Sequence, residues 1–104
     1  MNNETHVEIL LDLHQYNGLV YAYTPMCGTC AVASKMLTVI EELMPNIHLV
    51  KMNVNFNRAL AEELLIESVP CLLIFKEGIV KHKIYAFQSV PFLYEKINQV
   101  MNSG

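Results

Sequence analysis

Residues 19–30 of the chain read LVYAYTPMCGTC. The first five are apolar or aromatic and follow the turn signal Asn17-Gly18, which predicts a short strand over residues 18–24, buried on both faces. Apolar residues then recur at helical steps of three and four until Pro45, at Ala33, Met36, Leu37, Ile40, Leu43 and Met44. Two cysteines, Cys27 and Cys30, therefore lie where a buried strand passes into the start of a long helix.

Further elements are predicted on both sides of this junction. Thr5-His6-Val7-Glu8 has the form of a capping box and predicts a first helix over residues 6–16. Loose apolar alternation predicts a second strand over residues 47–54. Strand, helix and strand in this order form a right-handed parallel crossover.

The second half of the chain predicts two more helices around a hairpin. Asn57 is expected to cap a helix that ends before Pro70, with an inward face at Leu60, Ala61, Leu64 and Leu65. Residues 71–75 and 79–85 form a hairpin about Glu77-Gly78, and Ser89 caps a last helix with Pro91 in its first turn. The expected order is α-β-α-β-α-β-β-α, an α/β fold.

Composition restricts the class of protein. The 104 residues are 53% hydrophobic and 16% charged, which predicts one compact domain over residues 1–104 and excludes intrinsic disorder. The net charge is −3 without a basic run, so nucleic acid and anionic membranes are not expected partners. The start of the chain lacks a basic signal-peptide region, and three cysteines are an odd number, which together favour a cytoplasmic location.

The motif Cys27-Gly28-Thr29-Cys30 has a chemical meaning at a helix start. Free backbone N–H groups and the helix dipole stabilise a thiolate there, so Cys27 is the expected nucleophile. Cys30 follows one turn later, near enough to attack a mixed disulfide on Cys27. Gly28 and Thr29 are small and leave the first sulfur accessible. The motif therefore predicts a redox-active dithiol that forms a disulfide bond.

Residues 23–30 resemble the active-site segment of the thioredoxin family. Val69-Pro70 stands where that family has a cis-proline, Lys76-Glu77-Gly78 resembles its characteristic turn, and residues 51–55 resemble its second-strand segment. The resemblance implies a thioredoxin-like fold with a central, mixed, four-stranded sheet flanked by helices. It also implies a thiol–disulfide oxidoreductase in which Cys27 attacks and Cys30 resolves. No cofactor is implied, because the two sulfurs carry the electrons.

The same resemblance implies a substrate site and partners. The substrate-binding residues would be Met26, Gly28, Thr29, Val69 and Pro70, with an extended substrate chain pairing to the Val69 backbone. The implied partners are proteins with disulfides and a regenerating reductase of the thioredoxin-reductase type. A monomer is expected, with a part in electron transport and cell redox homeostasis.

Three positions are candidates for tuning the dithiol. Tyr21 stands where thioredoxins usually have a buried Asp, which is thought to shuttle the proton during resolution. Lys51 on the neighbouring strand is either a solvated strand residue, which is the default for lysine, or a group that lowers the pKa of the Tyr21 phenol. Cys71 follows Pro70 and is expected near the pair, where core packing is favoured over a redox role.

Two other functions remain open from the sequence. A binding module would present Val69, Pro70 and the motif surface to one protein partner without turnover. Its best support is that Tyr21 replaces the family's Asp and that the family's tryptophans beside the motif are absent. A metal-binding protein would add Cys71 and His82 to the pair as ligands for zinc, iron or copper. Their spacing is not that of a zinc ribbon or finger, so no metal site is predicted.

Overall fold

The computed structural model describes residues 15–102. The helix predicted over residues 6–16 lies almost wholly outside this part of the chain. The elements are β1 (Gly18–Tyr23), α1 (Gly28–Leu43), β2 (Leu49–Asn53), a 3₁₀ turn (Val54–Phe56), α2 (Arg58–Glu63), β3 (Cys71–Lys76), β4 (Ile79–Ile84) and α3 (Val90–Met101). From β1 onward, the predicted order is confirmed.

The strands form one mixed sheet in the order β2-β1-β3-β4. β1 runs parallel to β2 and antiparallel to β3, and β3 and β4 form the predicted hairpin. This is the central four-stranded sheet that the family resemblance implies. β1 is a central strand of the sheet, and its apolar run is buried on both faces, as the sequence predicts.

Side chains alternate along β1 between two hydrophobic clusters. Leu19 and Tyr21 pack with α1 and α3 on one face, whereas Val20 and Ala22 pack with α2 on the other. The helices cover the first face with Ala33, Leu37 and Ile40 of α1 and Leu93 and Ile97 of α3, all of them buried. Packing on both faces of the sheet therefore fixes the end of β1. Residues 24–26 lead from that end to the cysteine pair.

Of the three predicted helix caps, the capping box at Thr5 lies outside the described residues, Ser89 is confirmed and Asn57 is not. Ser89 Oγ accepts a hydrogen bond from the Phe92 N–H at 3.2 Å, with Pro91 in the first turn of α3, as predicted. Asn57 is the N-cap residue of α2, but its side chain caps nothing there. Its Nδ2 instead donates to the Asn53 carbonyl at 2.8 Å, because the 3₁₀ turn brings that carbonyl within reach.

The end of α2 corrects the predicted inward face. Leu65 has a φ of 58° and is 71% exposed, so its expected place in the core is wrong. The N–H groups of Leu65 and Ile66 donate to the carbonyls of Glu62 and Ala61, both at 3.0 Å. This is a Schellman ending, which reverses the chain at Leu65 and packs Ile66 against the core instead.

Candidate active site

The cysteine pair lies at the junction between β1 and α1. Cys27 is the N-cap residue of α1 with an extended backbone, and the helix begins at Gly28. Cys27 and Cys30 form a disulfide, with Cα atoms 5.2 Å apart. The Cys30 N–H also donates to the Cys27 sulfur at 3.2 Å. The first turn of α1 therefore supplies a hydrogen-bond donor to that sulfur, the arrangement that favours a thiolate after reduction.

The two sulfurs differ in accessibility. Cys30 is only 4% exposed, whereas Cys27 is half-buried and Met26 beside it is 91% exposed. Thr29 Oγ1 lies 3.4 Å from the Cys27 sulfur, where its hydroxyl can donate to it. Residues 19–34 contain no Asp, Glu, Lys or Arg. Cys27 is therefore the more accessible of the two sulfurs, and the segment around it carries no ionic side chain.

A second segment reaches the pair from far along the chain. The Val69–Pro70 peptide bond is cis, as the resemblance implies. The Cys27 sulfur lies 3.9 Å from the Val69 carbonyl oxygen, and a reduced Cys27 thiol can donate to that oxygen. The structure thus brings together Cys27, Cys30 and the Val69-Pro70 segment.

Tyr21 lies beneath the pair and is 1% exposed. Its hydroxyl donates to the Cys30 carbonyl at 2.8 Å and is 3.0 Å from Ser34 Oγ. Burial raises the pKa of Tyr21, and the Ser34 hydrogen bond offsets this only in part. The phenol is therefore neutral at physiological pH and is a poor base. Ser34 was not predicted, although its position one turn after Cys30 was a usable signal.

Of the two alternatives for Lys51, the structure agrees with the solvated strand residue and not with an effect on the Tyr21 phenol. Lys51 lies beside Tyr21 in the register between β2 and β1, but it is exposed on the outer strand of the sheet. Its charge is not among the causes of the Tyr21 pKa shift, which is upward and is dominated by burial. Solvent around Lys51 screens its charge from the phenol.

Cys71 is fully buried and packs on the face of the sheet opposite to Tyr21. Burial raises the pKa of its thiol to about 11, while hydrogen bonding to Tyr85 and the charge of Lys83 act in the other direction. The Tyr85 hydroxyl also accepts from the Glu67 N–H at 3.2 Å. A thiol with so high a pKa is unreactive near neutral pH, which supports core packing over a redox role.

Residues 15–102 contain neither a membrane-spanning helix nor a group of metal-ligating side chains. None of the helices in this range has the length and apolar character to cross a membrane. Among the same residues, no three His, Cys, Asp or Glu side chains are grouped so as to bind a metal ion. The metal-binding hypothesis, with Cys71 and His82 as added ligands, therefore gains no structural support.

A C-x-x-C disulfide at a helix N-terminus, beside a cis-proline segment, defines a thiol–disulfide oxidoreductase. The thioredoxin family model matches residues 1–99, and the chain belongs to the thioredoxin family. It is 51% identical over 86 residues to the thioredoxin-like protein YusE of Bacillus subtilis strain 168, covering 83% of this chain and 81% of that protein. It is 29% identical over 85 residues to the thioredoxin of the same organism, covering 79% and 82% of the two chains. A thioredoxin of Porphyra purpurea is 41% identical over 61 residues, covering 58% and 57%.

Proposed function

We propose that this oxidoreductase reduces disulfides in proteins, with Cys27 as the attacking thiol and Cys30 as the resolving thiol. The observation that carries this assignment is the difference in burial between the two sulfurs. Cys27 is half-buried at the helix N-terminus, whereas Cys30 is 4% exposed behind it. An incoming substrate disulfide therefore meets Cys27 before Cys30.

The exchange proceeds in two balanced steps. The Cys27 thiolate attacks one substrate sulfur, which forms a mixed disulfide and releases the other substrate sulfur as a thiolate that takes up a proton. Cys30 then loses its proton and attacks the Cys27 sulfur. This closes the Cys27–Cys30 disulfide and releases the second substrate thiol. Two electrons pass from the dithiol to the substrate.

The proposed docking surface consists of Met26, Gly28, Thr29, Val69 and Pro70. Met26 is 91% exposed beside the nucleophile, and the Val69 carbonyl lies 3.9 Å from the Cys27 sulfur. An extended substrate segment pairs with the Val69 backbone and places its disulfide over Cys27. Because residues 19–34 carry no ionic side chain, uncharged residues next to the substrate cysteine are favoured.

After each exchange the Cys27–Cys30 disulfide has to be reduced again. A reductase of the thioredoxin-reductase type returns two electrons to the Cys27–Cys30 disulfide, which gives the protein a part in electron transport. The cytoplasm is the proposed compartment, and the free, buried Cys71 thiol is compatible with a reducing environment.

The test is repeated reduction of insulin with dithiothreitol as the electron donor. The wild-type protein should turn over many times and exceed the rate with dithiothreitol alone. Cys27→Ser should abolish this excess, and Cys71→Ala serves as the matched control that also removes one cysteine but keeps the activity. A wild-type rate equal to dithiothreitol alone would contradict the proposal and favour the binding module.

The order in which the two thiols react can be measured separately. Alkylation of the reduced protein with limiting reagent, followed by peptide mapping, should label Cys27 first. Preferential labelling of Cys30 would reverse the assignment.

A further inference from the structure

Helix α1 carries exposed apolar side chains in a line. Val32 is 56% exposed, Val39 38% and Leu43 53%, and Met36 between them is half-buried. Steps of four, three and four residues place these side chains along one side of the helix, which we call the α1 stripe. The stripe lies beside the core face of α1, which consists of Cys30, Ala33, Leu37 and Ile40, and Met36 also packs against that core.

Helix α3 extends this apolar surface. Leu43, at the end of the α1 stripe, lines an open groove of about 590 Å³ together with Val90, Pro91 and Tyr94 of α3, and Glu95 and Asn98 of α3 form its polar part. Tyr94 is itself 39% exposed. The surface therefore extends across two helices and is wider than a single exposed side chain, which would need no explanation.

The charges beside the α1 stripe indicate what covers it. Lys35 and Glu42 are exposed, seven residues apart, and lie on the same flank of the stripe, away from the core face. When two identical helices pack antiparallel, the start of one lies against the end of the other. Lys35 of each copy then lies beside Glu42 of the other copy.

We propose that the α1 stripe is a self-association surface, through which two copies of this chain form a symmetric dimer with antiparallel α1 helices. Val32 of one copy packs against Leu43 of the second copy, and Met36 packs against Val39. Because each contact occurs twice about a twofold axis, two Lys35–Glu42 pairs flank the apolar centre.

The dimer leaves both active sites accessible. Val32, the stripe residue nearest to Cys27, follows it by five residues, which is about 7.5 Å along a helix at 1.5 Å per residue, and Cys30 lies on the core face of α1 and not on the stripe. The two disulfides therefore lie at opposite ends of the paired helices. The proposal does not depend on the proposed substrate or reductase, and its failure would leave the oxidoreductase assignment unchanged.

The size of the surface indicates a weak dimer. Stable complexes bury about 1,200 Å² or more in total, and the α1 stripe with Tyr94 offers only a few half-exposed side chains to each partner. The protein should therefore be the expected monomer at low concentration and a dimer at high concentration. Such behaviour is typical of transient interfaces.

The first test is sedimentation equilibrium of the full chain from about 10 μM to about 1 mM, a range that covers weak association. Wild-type protein should change from monomer to dimer within this range. Val39→Glu places a charge at the centre of the stripe and should leave a monomer throughout. Ile79→Glu is the matched control, because Ile79 is 57% exposed on β4, and it should dimerise like the wild type. Circular dichroism checks that both variants fold.

The second test exchanges the charges. Lys35→Glu should raise the dimer dissociation constant about tenfold at low salt, since two exposed ion pairs are replaced by like charges. Lys35→Glu combined with Glu42→Lys should restore association to near the wild-type value. A wild-type monomer at about 1 mM, or a double variant as weak as the single variant, would overturn the proposal.

Discussion

The rate at which Cys30 resolves a mixed disulfide on Cys27 should rise steeply between pH 7 and pH 9. The Tyr21 hydroxyl donates to the Cys30 carbonyl at 2.8 Å, and burial raises its pKa above the ordinary value. Tyr21 therefore stays protonated over this range and cannot accept the Cys30 proton. Without another base, the rate follows the thiolate fraction. A thiol with an ordinary pKa of about 8.5 gains about 25-fold in thiolate between these two pH values.

Stopped-flow kinetics with a small aromatic disulfide separates the two steps. Attack by Cys27 releases one coloured thiolate at a rate that increases with reagent concentration. Displacement by Cys30 releases a second coloured thiolate at a rate independent of reagent concentration. The second rate, measured from pH 7 to pH 9, is the predicted quantity.

Two substitutions at Tyr21 test the physical cause. Tyr21→Phe keeps the ring stacked on Tyr23 at 5.6 Å and loses only the hydroxyl, at a cost of about 1 kcal/mol in the free energy of unfolding. Its resolution rate and pH profile should stay close to wild type. Tyr21→Asp should speed resolution near pH 7. It should also destabilise the fold by about 3–5 kcal/mol through the lost ring, and further through burial of a carboxylate.

Two results would refute this reasoning. A wild-type resolution rate that stays flat from pH 7 to pH 9 would mean that another base serves Cys30. A loss of about 100-fold or more in Tyr21→Phe would be the size expected for removal of a general base, and would assign that role to Tyr21 itself.

Three further predictions concern stability and reactivity. Leu65→Gly should raise the free energy of unfolding by about 0.5–1 kcal/mol, because glycine adopts a φ of 58° without strain and the exposed Leu65 side chain buries little. An unchanged or lower melting temperature would contradict this prediction. Cys71 should resist iodoacetamide at pH 8 in the native protein and react in denaturant, since burial raises its pKa to about 11. Labelling of Cys71 as fast as that of Cys27 in the native protein would be inconsistent with this prediction. Ser89→Ala should lower stability by about 1 kcal/mol in urea unfolding, because the 3.2 Å bond from the Phe92 N–H is lost.

The strand-to-helix junction could be predicted from the sequence because its signals are local and consistent. The apolar run predicts where β1 ends, and the helical spacing predicts where α1 begins. Cys27 lies between the two and is therefore placed at the helix N-terminus. The hairpin and the Ser89 cap also follow from local residue chemistry. The cis bond before Pro70 was predicted from the family resemblance, not from local pattern.

Features set by packing could not be predicted in this way. Leu65 fits the helical spacing of α2, yet the helix ends before it and exposes it, since Ile66 fills the core position. The contact between Cys71 at the start of β3 and Tyr85 just after the end of β4 joins residues far apart along the chain, and no local pattern in the sequence predicts it.

The most direct test of the central account is capture of a mixed disulfide with a protein substrate. Cys30→Ser removes the resolving thiol, so the reduced variant should accumulate a covalent complex through Cys27, visible on a non-reducing gel and released by dithiothreitol. Cys27→Ser should capture little, because Cys30 is 4% exposed. Equal capture by the two variants, or capture by neither, would contradict ordered attack by Cys27 and resolution by Cys30.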